Sequence, residues 1–286
     1  MFKLVRFTNP KGKVAVGLVV SETEMIDLTD AGITRMTSIL ESEDPVARLR
    51  NVVTDGVDRI KIESVHLLPP VEDQEVWAAG VTYLRSKKAR MEESDFSASA
   101  YDKVYDAPRP EIFFKSVPSR VVGTGDKVGI RMDAKWNVPE PELALVFNSR
   151  RDLVGYTICN DMSSRDIEGE NLLYLPQAKV YDRSCAIGPW IVIGAQEEEA
   201  RKWEINISIS RNGREVFTGS TSVGQIKRSF DELGGYLFRS QTFLCGAILS
   251  TGTGIVPGDD FTLAENDRIK ITIGGIGTLE NTVIVV

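Results

Sequence analysis

The feature that most restricts the fold is a long series of short Val- and Ile-rich stretches, separated by glycine turns, that starts at Val76. Such stretches are typical of β-strands, and Asn212-Gly213 between ISIS and EVFTG is a strong signal for a two-residue hairpin. Residues 222–238 differ because apolar side chains recur there every three or four positions, which predicts an amphipathic helix. We therefore expect a β-rich α+β protein.

Residues 1–70 predict a small N-terminal α+β domain. Alternating polar and apolar residues there indicate several strands and one helix: strands at Lys3–Phe7, Val14–Val20, Met25–Asp27 and Ile60–His66, and a helix at Ile33–Glu41. The sequence LLPP at residues 67–70 then ends regular structure, because proline restricts both itself and the residue before it. We place the domain boundary there, so residues 71–286 form the second, catalytic domain.

Composition disfavours several classes of partner. The 34 Lys and Arg residues against 41 Asp and Glu residues give a formal net charge of −7, which repels nucleic-acid phosphates. No apolar run approaches the roughly 18 to 20 residues that a membrane-spanning helix needs. The N-terminus also lacks the ordered basic, apolar and small-residue segments of a signal peptide. We expect a soluble, cytoplasmic protein with no nucleic-acid or membrane partner.

A single histidine, His66, limits the chemistry. A Ser-His-Asp triad would have to use it, and a metal site with several histidines from one chain is excluded. Its sequence context, IESVHLLPP, predicts a strand that runs into a linker. The cysteines, Cys159, Cys185 and Cys245, are odd in number, far apart and mostly in apolar surroundings, so we interpret them as reduced core residues.

Two glutamates in VPEPEL at residues 138–143 are the first candidates for chemistry. The prolines favour extended geometry, in which residues two apart share a face and have α-carbons about 6.5 to 7 Å apart. Glu140 and Glu142 then point the same way and suit one cation, although a solvated strand face also explains the pair. Because each proline lacks a backbone N–H, we expect an edge or bulged strand here.

A third carboxylate belongs to GYTICNDMSSRD at residues 155–166, which predicts a strand that ends in polar residues with Asp161 at its tip. Carboxylates without histidine favour a hard cation, and three of them leave room for water and substrate, as magnesium prefers. The sequence therefore predicts a Mg²⁺ site at Glu140, Glu142 and Asp161, with Mn²⁺ or Ca²⁺ as alternatives. The competing interpretation is that Asp161 only caps a turn.

Motifs along essentially the whole chain resemble, in order, those of the fumarylacetoacetate hydrolase family. The matching segments are GVTY at 80–83, PEIFFK at 110–115, EPELA at 140–144, residues 155–166, KVYD at 179–182, GPW at 188–190, TGT at 251–253 and IGTLEN at 276–281. The resemblance implies a mixed β-roll or sandwich for the catalytic domain, a divalent cation on the three carboxylates and a homodimer or homotetramer. It also implies that Thr253 lies near the substrate carboxylate.

One departure from the family pattern narrows the activity. Members that hydrolyse carbon–carbon bonds carry a histidine three residues after the G-x-x-Y tyrosine, where this chain has Ser86. Residues 105–115 and 170–179 instead resemble members that dehydrate 2-keto-3-deoxy sugar acids, in which the positions of Glu111 and Lys179 form the acid–base pair. The resemblance implies a magnesium-dependent hydro-lyase that converts, for example, 2-keto-3-deoxy-D-arabinonate to 2,5-dioxopentanoate.

Other activities stay open at this point. A hydrolase of 2,4-diketo acids, a decarboxylase, an isomerase, or a ligand-binding module without activity would use the same metal site. In the dehydratase hypothesis Lys179 is the base and Glu111 the acid, or the reverse. An ion pair is the alternative role for Lys179, and a supporting hydrogen bond is the alternative for Glu111. No redox or organic cofactor is expected.

The substrate contacts are predicted from the same hypothesis. Thr253 would orient the substrate carboxylate, although TGTG is also consistent with a simple turn. Arg85, Ser86 and Arg109 would contact the sugar hydroxyls once residues 86–106 close as a lid. The charged composition of that segment equally fits a solvated surface helix.

Overall fold

Strands account for most of the regular structure in the computed structural model, which describes residues 1–52, 56–85 and 103–286. Short helices connect them. The expectation of a β-rich α+β protein is confirmed. Among the described residues, no helix combines the length and the apolar character that crossing a membrane requires.

The N-terminal segment contains strands β1 (Phe2–Thr8), β2 (Val14–Val19), β3 (Glu24–Asp27), β4 (Arg59–Lys61) and β5 (His66–Leu68), with helices α1 (Thr37–Leu40) and α2 (Pro45–Arg50). The first three strands agree with the prediction. The helix predicted at Ile33–Glu41 is shorter. Ile33 N donates a hydrogen bond to the Leu28 carbonyl in a turn, and the Glu72 carboxylate accepts hydrogen bonds from Met36 N and Thr37 N, so the helix begins only at Thr37. The strand predicted at Ile60–His66 is interrupted by a 3₁₀ turn at Ile62–Ser64.

The rest of the chain contributes strands and helices in this order: β6 (Glu75–Gly80), β7 (Glu111–Ser116), β8 (Val121–Val122), β9 (Lys127–Ile130), β10 (Asn137–Val138), β11 (Pro141–Phe147), β12 (Leu153–Asp161), β13 (Ser163–Ser164), α3 (Arg165–Glu170), α4 (Leu175–Lys179), β14 (Cys185–Ile193), α5 (Glu197–Ala200), β15 (Glu204–Arg211), β16 (Arg214–Ser222), α6 (Phe230–Leu237), β17 (Ala247–Ser250), β18 (Arg268–Ile273) and β19 (Gly277–Val285).

Two large sheets pack face to face. The first has the order β4-β3-β2-β1-β14-β12-β11-β17-β6-β7, with β5 beside β1 and β8 beside β14, and the second has the order β16-β15-β18-β19-β9. Their facing sides share one buried apolar cluster, which includes Leu145 and Ile158 of the first sheet and Ile207 and Ile271 of the second. Burial of these apolar faces is the main force that holds the sheets together.

The N-terminal strands continue the first sheet. β1 pairs antiparallel with β14, where Leu4 lies opposite Ile191. The first sheet therefore crosses the predicted boundary at residues 67–70 without a break in its hydrogen bonding. The division into residues 1–70 and 71–286 stays a prediction.

The hairpin predicted at Asn212-Gly213 is confirmed. These two residues join β15 to β16 and both have left-handed backbone conformations, with φ of +52° and +77°. Such a turn matches the twist of the flanking strands and favours Asn-Gly.

The helix predicted over Ser222–Phe238 is wrong in extent. A 3₁₀ turn occupies Val223–Gln225, and α6 begins only at Phe230 because extended Ser229 caps it by accepting a hydrogen bond from Glu232 N. The apolar positions that suggested the helix are all buried nevertheless: Val223, Ile226, Phe230, Leu233 and Leu237. The spacing of the apolar residues correctly predicted which side chains face the core. The backbone, however, forms a 3₁₀ turn and a separate helix, α6, instead of one continuous helix.

Candidate active site

Three carboxylates converge at one end of the first sheet. Glu140 precedes β11, Glu142 lies within it, and Asp161 is the last residue of the neighbouring strand β12. All three side chains are buried. One ligand oxygen from each lies within 4.8 Å of the other two. The structure thus brings together the three residues predicted as metal ligands.

The prediction that VPEPEL forms an edge or a bulge is confirmed in part, because Pro141 and Glu142 pair with β12 alone, although β11 as a whole is not an edge strand. β11 is an interior strand, with β12 on one side and β17 on the other. Pro141 is tolerated because it is the first residue of the strand, and the pairing with β17 begins only at Ala144. Both prolines therefore lie before the part of β11 that pairs with β17.

Lys179, the last residue of α4, lies among these carboxylates. Its Nζ is 2.8 Å from Glu140 Oε2, 3.1 Å from Asp161 Oδ2 and 2.5 Å from Ser163 Oγ. The side chain is 1% exposed, so these contacts are screened little by water. The ion pair with metal-site carboxylates, one of the alternatives for Lys179, is thus present in the structure.

Two further cations surround the cluster. Arg165 Nη2 lies 2.8 Å from Glu140 Oε1. The Lys115 ammonium contacts the Asp161 carboxylate and donates to the carbonyls of Met162, at 3.0 Å, and Lys179, at 2.5 Å. Lys115 therefore links a predicted metal ligand to the backbone of the predicted base.

Glu142 has a different environment. Its Oε2 accepts hydrogen bonds from Ser250 Oγ at 2.5 Å and from the Gly252 backbone N–H at 2.8 Å. Among the residues that the structure describes, no Lys or Arg forms a salt bridge with it. Burial, followed by the negative charges of Asp161 and Glu140, raises the pKa of Glu142 well above its ordinary value.

The donor set fits a hard divalent cation. All three ligand groups are carboxylates, the donors that Mg²⁺ and Ca²⁺ prefer. Lys179, Arg165 and Lys115 contact Glu140 and Asp161, and none of these three cations forms a salt bridge with Glu142. A cation bound between the three would give Glu142 a cationic partner and offset the repulsion among the carboxylates.

A cavity opens onto this cluster. Its walls include the carboxylates, Lys179, Glu111, Phe113, Thr253 and the glycines at positions 80 and 252. The Thr253 hydroxyl lies 3.1 Å from the Pro141 carbonyl and 3.2 Å from the Ile255 carbonyl, so it also fixes its own loop. Six of the predicted site residues therefore line one cavity: Glu111, Glu140, Glu142, Asp161, Lys179 and Thr253.

The other predicted contacts lie elsewhere. Arg85 lines a separate pocket beside β16, next to residues 254–256. The guanidinium of Arg109 lies 5.5 Å from the ring centroid of Tyr236. Ser86 and most of the predicted lid at 86–106 lie outside the described residues; within the lid, the Tyr105 carbonyl accepts a hydrogen bond from Lys227 Nζ at 2.9 Å.

Three buried charged residues at the site were not among the predicted site residues: Lys115, Arg165 and Glu168. Arg165 and Glu168 line the cavity and lie three residues apart on α3, a spacing that places both on one helix face. Lys115 ends the PEIFFK segment and Arg165 belongs to residues 155–166. Membership of these two motifs is therefore the sequence signal by which Lys115 and Arg165 could have been found.

His66 is remote from this chemistry. It lies on β5 with an exposed side chain, and its Nε2 is 3.5 Å from Asp126 Oδ1. It does not belong to the cavity wall. The described part of the cavity wall contains no histidine.

Comparisons with known proteins point to one family. The model of the fumarylacetoacetate (FAA) hydrolase C-terminal domain matches residues 75–284. Over 270 residues the chain is 44% identical to the probable 2-keto-3-deoxyxylonate dehydratase of Haloferax volcanii, covering 90% of this chain and 93% of that protein. Over 261 residues it is 40% identical to the 2-dehydro-3-deoxy-D-arabinonate dehydratase of Saccharolobus solfataricus, covering 85% and 88%.

The fold comparison gives a consistent result. A solved structure of 2-keto-3-deoxy-D-arabinonate dehydratase, complexed with magnesium and 2,5-dioxopentanoate, superposes with a TM-score of 0.85 at 35% identity and covers 99% of both chains. The family model spans most of this sequence, and the motifs that suggested the resemblance fall within it or at its edges. The chain therefore belongs to the fumarylacetoacetate hydrolase family.

Proposed function

We propose that this protein is a magnesium-dependent dehydratase of a 2-keto-3-deoxy sugar acid. The observation that carries the proposal is that one cavity holds a buried three-carboxylate cluster together with Lys179 and Glu111. The names of two relatives at 44% and 40% identity support the reaction class. A related structure that contains magnesium and 2,5-dioxopentanoate supports both the cation and the product.

The residues divide the work between binding and proton transfer. Glu140, Glu142 and Asp161 would hold the cation, whose charge polarises the 2-keto group of the substrate. Lys179 contacts two of these carboxylates, and a cation bound by them would compete for those contacts; as a neutral amine on the wall of the same cavity, Lys179 would be placed to take a proton from carbon 3. Glu111, at the start of β7 on the wall of the same cavity, gives a proton to the hydroxyl that leaves carbon 4.

The reaction balances without a redox partner. The C–H bond at carbon 3 and the C–O bond at carbon 4 break, a double bond forms between these carbons, and the hydroxyl leaves as water. Tautomerisation of the product then gives a dioxo acid. The reversed assignment, with Glu111 as base and Lys179 as acid, conserves the same atoms.

The proposed substrate contacts involve Thr253 and three further residues. Thr253 is the candidate for orienting the substrate carboxylate, because it lines the cavity next to the Glu142 loop contacts. Arg85, Ser86 and Arg109 stay predictions for contacts to the sugar hydroxyls.

The proposal is tested by mass spectrometry of the products from 2-keto-3-deoxy-D-arabinonate and related keto acids, with Mg²⁺ and with excess chelator. We expect loss of one water that depends on the metal. Lys179→Met and Glu111→Gln should each lower kcat by about 100-fold or more, the range that proton-transfer groups contribute. The exposed residues Lys202 and Glu215 give matched controls, Lys202→Met and Glu215→Gln, which should retain activity.

Two other results would contradict the proposal. Two smaller acids as products would identify a carbon–carbon hydrolase, an activity that the position of His66 outside the cavity disfavours. Tight Mg²⁺-dependent binding of keto acids without turnover would identify a binding module.

We also propose a cytoplasmic homodimer or homotetramer. The family resemblance supports the assembly, as do large exposed apolar side chains, with Leu244 85%, Leu173 82% and Met132 78% exposed. Free, buried Cys159 and Cys185 suit a reducing compartment. Analytical ultracentrifugation of the purified protein tests the assembly, and a monomer at micromolar concentration would contradict it.

A further inference from the structure

Gly80, on the cavity wall, lies directly across from Glu111. Gly80 is the last residue of β6, Glu111 is the first residue of β7, and the two are paired in the antiparallel register. Directly opposed residues of antiparallel strands share a face of the sheet. Both residues line the cavity.

The backbone does not explain why position 80 is a glycine. Gly80 is absent from the residues with positive φ, so an L-residue could adopt its conformation. The explanation is space. A Cβ atom at position 80 would overlap Glu111 Oε2 and lie 2.7 Å from Glu111 Cδ, which means that the Glu111 carboxylate occupies the volume that a side chain would need.

The contact is selective for the functional group of Glu111. The three atoms closest to the added Cβ, namely Oε2, Cδ and Cγ, all belong to Glu111, and none is a backbone atom. Gly252, on the same cavity wall, differs because it has φ of +86° and its added Cβ would lie 2.9 Å from the Ala79 carbonyl. A substitution at Gly252 strains the fold, whereas a substitution at Gly80 displaces the flexible end of one side chain.

Lys179 lies on the side of β7 to which the Glu111 side chain belongs. Phe113 follows Glu111 by two residues and so shares its face of β7. Lys179 Nζ is 5.8 Å from the Phe113 ring centroid. The Glu111 carboxylate over Gly80 and the Lys179 ammonium therefore belong to the wall of one cavity, on the same side of β7.

We infer that Gly80 is a positioning residue, whose lack of a side chain sets the place of the Glu111 carboxylate at the cavity. This inference rests on the proposed function, in which Glu111 transfers a proton during dehydration. Any side chain at position 80 moves that carboxylate away from its place. Proton transfer then slows while the metal site and the fold stay intact.

The test is a double-mutant cycle with Gly80→Ala, Glu111→Gln and the double variant, assayed for water loss with saturating Mg²⁺. We expect Gly80→Ala to lower kcat by about 10- to 100-fold, the cost of a misplaced group, with a smaller change in KM. In the Glu111→Gln background the same substitution should change kcat less than about two-fold, since it acts through the group already removed. Gly80→Ser, with the same added Cβ, should repeat the loss.

Stability measurements separate positioning from misfolding. Thermal unfolding of Gly80→Ala should match the wild type within about 2 °C, and Mg²⁺ should stabilise both equally, because no backbone contact is lost. Gly235→Ala is the matched glycine control, since its added Cβ meets nothing closer than Arg151 Nη1 at 3.6 Å. It should retain full kcat.

The outcomes distinguish the inference from the proposal beneath it. Full activity of Gly80→Ala, or losses that multiply independently in the double variant, would overturn the role of Gly80 alone. Full activity of Glu111→Gln would overturn the proposed role of Glu111 and the inference with it. A large loss of stability in Gly80→Ala and Gly80→Ser would assign Gly80 to the fold instead.

Discussion

At the scale of single residues, Glu142 is the cluster carboxylate that none of the described cations contacts. Glu140 and Asp161 each contact buried cations, whereas Glu142 relies on the Ser250 hydroxyl and the Gly252 N–H. Hydrogen bonds offset part of the cost of burying a carboxylate, but the neighbouring negative charges add to that cost. Metal binding and stability should therefore respond to this residue in opposite directions.

Glu142→Gln should stabilise the metal-free protein and weaken metal binding. The pKa of Glu142 is raised in the folded chain, so at neutral pH folding must either bury a charge or take up a proton. Removing the carboxylate abolishes that penalty, so the variant should be the more stable protein at pH 7, and the gain should vanish as the pH falls towards the ordinary carboxyl pKa. Mg²⁺ affinity should drop about ten-fold or more.

Thermal unfolding with chelator and with excess Mg²⁺ measures both effects. The variant should have the higher Tm in chelator, and Mg²⁺ should raise its Tm by less than it raises the Tm of the wild type. Glu215→Gln, on the exposed part of β16, serves as the control and should change neither. A lower Tm for Glu142→Gln in chelator would contradict the account of its environment.

The metal ligands could be predicted from the sequence, because the chemistry of a carboxylate is evident from the residue type. Glu140, Glu142 and Asp161 are carboxylates in short motifs, and strand geometry places the two glutamates on one face. The role of Lys115 could not be predicted in this way, because its contact with Asp161 joins β7 to β12, and β11, β17 and β6 lie between these strands in the sheet. The relation between Gly80 and Glu111 likewise depends on the register of β6 and β7.

At the scale of elements, glycines in two different settings should respond oppositely to the same substitution. Gly213 ends the tight turn between β15 and β16 with φ of +77° and has open space around its added Cβ. Gly235 lies within α6, outside the set of positive-φ residues.

Gly213→Ala should destabilise the protein by about 1 kcal/mol, because an L-residue is strained in the left-handed region. Gly235→Ala should stabilise it by roughly 0.5 to 1 kcal/mol, because alanine loses less conformational freedom in a helix. Urea unfolding of both variants checks the signs. Shifts of the midpoint in the same direction would contradict the assigned backbone conformations.

Element boundaries were less predictable than burial. The spacing of apolar residues in 222–238 correctly marked the buried side chains but not the interruption before α6. The Ser229 cap that begins α6 is local, but the extended segment before it also makes a hydrogen bond from Lys227 N to the Thr82 carbonyl, which belongs to a distant part of the chain. A local pattern does not contain such a partner.

At the scale of the whole molecule, β14 connects the N-terminal strands to the metal cluster. One edge of β14 pairs with β1 and the other with β12, where Cys185 lies opposite Asp161. We therefore expect residues 1–70 to unfold together with the rest of the described structure rather than as a separate unit.

Leu4→Ala tests this coupling. Leu4 is fully buried and packs in a cluster with Ile187 and Ile191 of β14, so its truncation should cost about 2 to 5 kcal/mol. Calorimetry should show one cooperative transition at a lower Tm, while Val14→Ala, at a position 55% exposed on β2, should change Tm little. A separate early transition for the N-terminal segment would contradict the coupling.

The β-rich class could be predicted from strand-like stretches, and the family motifs implied a mixed β-roll or sandwich. The order of strands could not, because pairing joins segments that are distant along the chain. β17 enters between β11 and β6, and β1 pairs with β14. The alternation of apolar residues says which face is buried but not which strand is the neighbour.

The position of β17 between β6 and β11 affects how the chain folds while the ribosome synthesises it. Trp77 pairs with Leu249, so at roughly 5 to 20 residues per second β6 waits on the order of 10 to 30 s for its parallel neighbour. During that interval the edge is open to wrong partners. A nascent chain that stops before Ala247 already carries every carboxylate of the cluster, yet it lacks the Ser250 and Gly252 donors that hold Glu142. Synthesis must therefore pass Gly252 before the first complete cluster exists.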